Sequence, residues 1–294
     1  MSLNIGSYVK ASRNVLLQMY SRSRAAKRIV DSGRANMIDT RRIQDNIKSD
    51  TLFVLGSGES ILDFGDLEWS VISKCTSLGI NLWVYHDFVP DIAVIEWYPN
   101  DEVSYLMADA FNTRKYYYQN VNIIRKDIDS YTNVNEFDYI DQINNISLVN
   151  EIALSTTDID LLNAELKVCG LIGLTSLKSG FTVVPQARAT IVFSIFMGVR
   201  LGFKNIVLCG VDLNGSKYFY HSDKWINTYN LIVPPIDNIH EDTHETMLTK
   251  NGISVVDVIK VVENEINRYG DVNIYVSNPK SALADVLDVY EFSS

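Results

Sequence analysis

A doubly wound, mainly parallel α/β sheet is the fold class this sequence predicts, and three observations carry the prediction. TLFVLG, residues 51–56, is a short apolar run that ends in glycine, as a buried strand does before a tight turn. Strand-like and helix-like patterns then alternate along the chain. Several of the strand-like runs end in small or polar residues, which is where open parallel sheets bind their ligands.

The elements follow in order. Residues 64–74, FGDLEWSVISK, read as a helix, and CTSLGINLWVY (75–85) as a second strand that reaches a loop at Asn81. DIAVIEWY (91–98) reads as a third strand. Residues 100–180 are rich in Asn, Asp and Tyr with little periodicity, and read as mixed short strands and loops. ARATIVFSIFMGVRLGF (187–203) keeps an apolar spacing throughout, so it reads as a buried helix that Gly202 can end in a left-handed cap. NIVLCGVD (205–212) is a near-continuous apolar strand. Residues 214–248 are long, aromatic and polar with Pro234-Pro235 near the end, and a loop of that length in a compact domain is commonly functional. ISVVDVIKVVENEINRYG (253–270) reads as a helix with Gly270 at its end, and VNIYVSNP (272–279) as a last strand. The organisation is therefore one α/β domain over 51–294 with a lid or insert at about 214–248, preceded by a basic helical extension over 1–50.

Composition narrows the class. With 294 residues, 47% of them hydrophobic, the chain can bury a large core. No apolar run reaches the roughly 18 residues of a membrane span. The opening MSLNIGSYVK is too polar for a signal peptide. Cys75, Cys169 and Cys209 are too far apart for a disulfide framework or a zinc pattern, and read as reduced, mostly buried thiols of a cytosolic protein. The formal charge of −10 argues against a general nucleic-acid binder. Charge is uneven, because ten Lys/Arg and three acids fall within residues 1–48. VLLQMYSRSRAAKRIV (15–30) therefore has two readings. It is a basic amphipathic helix lying on an anionic membrane surface, or a solvated helix packed on the domain or on another subunit.

Four strand ends are suited to a ligand: Gly56-Ser57-Gly58-Glu59-Ser60, Gly79-Ile80-Asn81, Gly210-Val211-Asp212 and Ser277-Asn278-Pro279. Glycines let a ligand approach the backbone, and a following helix offers unpaired N–H groups to an anion. GSGES lacks the third glycine of the dinucleotide fingerprint and the Gly-Lys-Ser/Thr of a phosphate loop. His221, His240 and His244 lie on the lid. The string HEDTH over 240–244 is not the zinc motif H-E-x-x-H, and no metal site is read.

Taken together, FVLGSGESILDF, GINLWVY, LGFKNIVLCGVDLNGSKYFY, THETMLTKNGISVVDVI and SNPKSALADV resemble, in that order, the bacterial sialyltransferases that use CMP-activated sugars. The resemblance spans roughly residues 50–285 and implies a Rossmann-like fold and a homo-oligomer. It also implies that Gly56, Ser57, Gly58 and Ser60 cradle the nucleotide phosphate, Ser57 standing where the family has asparagine. Asn81 matches an asparagine contacting nucleotide and sugar. Thr190 stands where the family has a serine for the sugar carboxylate, with Arg188 near the family's arginine. Asn214, Gly215 and Tyr218 match a segment whose tyrosine hydrogen-bonds the leaving phosphate, and Asn278 and Pro279 a turn near the cytosine. His244 matches the general base. The family's tyrosine just after Asp212 has no counterpart at Leu213 or Asn214, where Tyr220 could substitute, and Trp97 beside Glu96 replaces an asparagine.

The implied activity is transfer of a sialic-acid-like or Kdo-like acid from its CMP ester to a sugar hydroxyl of a bacterial surface glycan, in lipopolysaccharide or capsule synthesis. It is inverting and needs no metal or other cofactor. His244, Tyr218 and Asp212 carry the chemistry, and Asp212 binds or orients rather than attacks. The partners are the CMP-sugar donor, an oligosaccharide or lipid-linked acceptor and, through residues 1–50, the inner face of the cell membrane. Other readings stay open at this point. A magnesium-dependent pterin-type diphosphokinase could draw on Glu59, Asp87, Asp91, Glu96 and Asp212. A retaining Kdo transferase would use Asp212 as nucleophile. A non-catalytic partner in glycan assembly is the third.

Overall fold

The computed structural model describes residues 5–33, 36–96, 102–126, 146–176, 182–215, 217–222, 225, 232–233, 245–247 and 252–293. Nine parallel strands form the central sheet in the order β1-β6-β5-β4-β3-β2-β9-β10-β11. In chain order these are β1 (Asn36–Met37), β2 (Thr51–Leu55), β3 (Thr76–Ile80), β4 (Ile92–Ile95), β5 (Asn122–Arg125), β6 (Ile146–Leu148), β9 (Asn205–Cys209), β10 (Asn273–Val276) and β11 (Asp288–Val289). A second, two-stranded parallel sheet pairs β7 (Asn150–Ala153) with β8 (Val183–Gln186). From β2 the chain winds outward through β3, β4, β5 and β6, then returns to place β9 on the other side of β2. The strand order reverses between β2 and β9, so their carboxyl ends open a crevice at a topological switch point.

The centre of the sheet is buried on both faces: β2, β3 and β4 are buried at every position. Leu52 and Val54 point into one core and Phe53 and Leu55 into the other, as the two-residue period of a strand requires. On the first face lie α5 (Ile159–Leu171), α6 (Thr190–Leu201) and α7 (Val255–Tyr269). On the second lie α3 (Asp66–Lys74) and α4 (Glu102–Thr113), with Phe292 stacked on Phe53 at 5.8 Å. Helix α6 is buried at every one of its residues, which is what a helix apolar on all sides must be. It ends as its sequence predicts: Gly202 adopts φ 99°, and the N–H groups of Gly202 and Phe203 both return to the Gly198 carbonyl. Burial pushes the Cys169 and Cys209 thiols up to about 12.

Three local expectations are corrected. The run 75–85 is not one strand: β3 stops at Ile80, and residues Asn81–Tyr85 form a 3₁₀ turn whose side chains from Leu82 to Tyr85 are buried. Residues 100–180 hold two helices, α4 and α5. Helix α5 carries a signal that periodicity alone understates, the Asp158 N-cap, whose carboxylate accepts from the N–H groups of Asp160 and Leu161. Finally, the extended run 272–279 is a strand only over β10.

The N-terminal segment is built into this framework. Helix α1 (Ile5–Asp31) packs along α5 and β7 and buries Ala11 and Val15 in the main core. Short helix α2 (Thr40–Gln44), N-capped by Asp39, follows β1, which pairs with β6 at the sheet's edge. Gln18 of α1 donates to the Ala153 carbonyl at 2.7 Å and accepts from the Ala153 N–H at 2.9 Å. No helix among the described residues is long and apolar enough to cross a membrane.

Candidate active site

Two loops interlock at the switch point. After β2 the N–H groups of Gly56, Gly58 and Ser60 donate in turn to the Cys209 carbonyl (2.7 Å), the Gly210 carbonyl (2.7 Å) and the Asp212 carboxylate (3.0 Å). The β2–β9 ladder thus runs on past both strands. The missing Cβ of these glycines is what this contact needs. A Cβ on Gly58 would sit 2.5 Å from Asp212 Oδ2, and one on Gly210, at φ 63°, would sit 2.5 Å from the Gly56 carbonyl oxygen. The loop is followed by a five-residue 3₁₀ turn, Glu59–Asp63, so helix α3 begins only at Asp66, beyond that turn.

That geometry fixes a stability prediction. Gly210→Ala combines a left-handed φ with a backbone clash and is expected to cost about 2–4 kcal/mol in a urea melt. Gly215→Ala, whose Cβ would meet nothing within 4 Å, is expected to stay within about 0.5 kcal/mol of the parent. Equal costs would mean the two loops do not lock.

Asp212 is the hub of this end of the crevice. Its Oδ1 accepts from Ser60 Oγ at 2.6 Å and from Asn278 Nδ2 at 3.0 Å, and its Oδ2 from the Ser60 N–H. One carboxylate therefore joins the loops that follow β2, β9 and β10. The β10 turn is held further by Asn214 Nδ2 on the Lys280 carbonyl (2.6 Å), by Asn278 Oδ1 on the Lys280 N–H, and by Ser281 Oγ on the Val211 carbonyl. Pro279 lies between Asn278 and Lys280 in that turn. Tyr218 forms an antiparallel bridge with Gly58, while the Phe219 N–H donates to the Ser57 carbonyl at 3.0 Å. The ring of Tyr218 stacks on Tyr220 at 5.1 Å. Tyr220, which could substitute for the family's tyrosine missing after Asp212, is thus stacked beside Tyr218.

A second cluster sits at the ends of β3, β4 and β5. Asn81 adopts φ 48° and its Oδ1 accepts from the Glu96 N–H at 3.0 Å. Thr190, in the first turn of α6, donates its hydroxyl to Glu96 Oε2 at 2.6 Å. Lys126 lies 2.6 Å from Glu96 Oε1 and 3.6 Å from Glu151 Oε2, with its side chain only 1% exposed. Arg22 of α1 reaches Glu151 at 3.8 Å. Arg188 adopts φ 61° just before α6, and its Nε donates to the Thr246 carbonyl at 3.3 Å.

Strain concentrates here. Among the described residues the non-glycine positions with positive φ are Asn81, Arg188 and Leu213, and all three flank the carboxyl rim of the crevice. A left-handed non-glycine residue costs of the order of 1 kcal/mol or more and persists where the surroundings over-determine it, which is characteristic of binding sites.

Solved structures similar to this chain are sialyltransferases. A variant of sialyltransferase CST-II in complex with CMP is 17% identical over 82% of this chain and 87% of that one, with a TM-score of 0.46. CST-II in complex with a trisaccharide acceptor and CMP is 13% identical, over 82% and 86%, at 0.44. CstII from Campylobacter jejuni with the substrate analogue CMP-3FNeuAc is 13% identical over the same shares, at 0.39. No protein-family model matches the chain, and neither does any curated protein.

Of the residues singled out from the sequence, the structure brings Gly56, Ser57, Gly58, Ser60, Asp212, Asn214, Tyr218, Asn278 and Pro279 to one end of the rim, with Gly215 beside Asn214. Asn81, Arg188 and Thr190 stand at the ends of β3 and β8 and the start of α6. His244 and His240 lie outside the described residues, as do Trp97 and most of the lid. Sequence reading missed Lys126. Its signal was a cation directly after the buried strand NIIR, at the same strand end as the other site residues.

Proposed function

We propose that the chain is a glycosyltransferase that moves a sialic-acid-like or Kdo-like acid from its CMP ester to a sugar hydroxyl of a bacterial surface glycan. The observation that carries this reading is the gathering of strained backbone and hydroxyl, amide and carboxylate groups along the rim of a parallel sheet's switch point. The order of the GSGES, GVD, N-G-x-x-Y and SNP segments supports it from the sequence side.

In the proposed reaction the acceptor oxygen attacks the anomeric carbon of the sugar acid. The bond from that carbon to the phosphate oxygen breaks, and its electron pair leaves with CMP. The acceptor's proton passes to a base, for which His244 has the chemistry. In this reading Tyr218, bridged to Gly58, hydrogen-bonds the leaving phosphate. The amide of Ser57 serves the same end. Asn278 and Asp212 fix the turn that would meet the base. Asp212 orients and does not attack, because both its oxygens already accept hydrogen bonds that hold three loops. The magnesium-dependent alternative finds less support. Asp91 is engaged by Ser77 and Lys48, Glu96 by Thr190 and Lys126, and Asp212 by Ser60 and Asn278, so these carboxylates face separate partners.

A thermal-shift panel of CMP, CDP, UDP, GDP and ATP, with and without EDTA, tests the reading. CMP at a hundred times its dissociation constant is expected to stabilise by about 2.7 kcal/mol, and EDTA is expected to change nothing. A shift with ATP and magnesium but none with CMP would overturn it.

A further inference from the structure

Helix α1 has two faces of different character. Its inner face is committed: Ala11, Val15, Ala26 and Ile29 are buried, Asn14 Nδ2 donates to Glu165 Oε1 at 3.0 Å, and Gln18 is clipped to Ala153. The outer face carries Ile5, Val9, Leu16, Leu17 and Tyr20, with Ile5 82% and Tyr20 62% exposed. At ~100° per residue Ile5, Val9, Leu16 and Tyr20 fall on one stripe. Interleaved with them and also exposed are Lys10, Arg13, Arg24, Lys27 and Arg28. There is no acid from Ile5 to Val30, in a chain whose net charge is −10. Five exposed cations therefore share a helix face with large exposed apolar side chains.

We infer that this outer face of α1 docks on an anionic membrane surface, lying in the plane of the interface. The helix is 27 residues long, about 40 Å at ~1.5 Å per residue, and the outer face of a single helix presents a line and not a groove. Apolar side chains on such a face enter the boundary between headgroups and acyl chains, while Lys and Arg stems reach the anionic headgroups. Each cation near the surface contributes of the order of 1 kcal/mol, and neither signal alone holds a protein there firmly. A second copy of the chain suits the face poorly, because pairing α1 with its own image sets cation against cation.

The full-length protein is sedimented with vesicles of phosphatidylcholine alone and of phosphatidylcholine containing phosphatidylglycerol. Binding to the anionic vesicles is expected to exceed that to the neutral ones by about tenfold or more, and to fall as salt rises. Arg13→Gln/Arg24→Gln and Val9→Gln/Leu16→Gln are each expected to lower anionic binding by about tenfold or more, with unchanged circular dichroism and melting temperature. Binding equal on both vesicles, absent from both, or unaffected by either double variant would overturn the inference. So would light scattering that showed Val9→Gln/Leu16→Gln converting an oligomer to a monomer while vesicle binding stayed at the parent level. None of these readouts depends on the transferase reading, and the nucleotide panel does not depend on the vesicles.

Discussion

Replacing Asp212 with alanine is expected to lower the melting temperature by roughly 5–10 °C and to abolish the stabilisation by CMP. The carboxylate accepts from the Ser60 N–H, the Ser60 hydroxyl and the Asn278 amide, at 3.0, 2.6 and 3.0 Å. Hydrogen bonds to a charged group contribute about 1.5–3 kcal/mol each when buried. This group is half-buried and its donors regain water when it is lost, so about 3 kcal/mol in total is the sensible figure. The larger effect is on shape. Without Asp212 the loops after β2 and β10 lose their common anchor, and with it the spacing across that end of the crevice. Asp212→Asn separates the two effects, since it keeps the volume but turns one acceptor into a donor facing Ser60 or Asn278. It should keep more stability than alanine while still weakening CMP by at least about tenfold, or about 1.4 kcal/mol. An alanine variant that melts and binds CMP like the parent would remove Asp212 from the centre of the site.

Lys126→Met is expected to cost about 3–5 kcal/mol, the typical toll of leaving a buried charge without its partner. The ammonium is buried between Glu96 and Glu151, and its removal leaves two carboxylates sharing one poorly hydrated space. Glu96→Gln alone should cost less, because the amide oxygen can still accept from Thr190. The double variant Lys126→Met/Glu96→Gln should be more stable than the sum of the single losses allows, by more than about 1 kcal/mol, since each change removes what the other leaves unpaired. Urea melts of the four proteins measure that coupling. Strict additivity would show that the contact carries no energy. The same double variant asks what Glu96 does in the crevice. With its carboxylate held by Thr190 and Lys126 and its backbone N–H by the strained Asn81, Glu96 would meet a substrate hydroxyl in the proposed reaction, so recovered stability should come with transfer still reduced by about a hundredfold.

How far the residues foretold this can be argued from particular ones. Strands β2 and β9 and helix α6 were legible because burial on both sides leaves an unbroken apolar run, and because Gly202 has one economical conformation at a helix end. The rim was legible as a set of strand ends. What joins those ends was not: Asp212 meets Ser60 152 positions away and Asn278 66 positions away, and a local pattern holds no record of contacts so distant. The same limit hid a second demand on the glycines, whose missing Cβ makes room for the opposing loop. Lys126 escaped for the opposite reason. Hydropathy places a lysine at the surface, and only the two carboxylates that flank it explain its burial.

The Gln18 clip on Ala153 has a consequence for handling the protein. Strand β7 turns Asn150 and Leu154 toward β8, which leaves the alternate residues, Glu151 and Ala153, facing outward. The carboxamide of Gln18 fills the outward position of Ala153 as the backbone of a third strand would. A shortened protein that begins after α1 would bare that row of amides and carbonyls, and bare strand edges recruit one another. Self-association into sheet-rich aggregates is the failure such a truncation should show first.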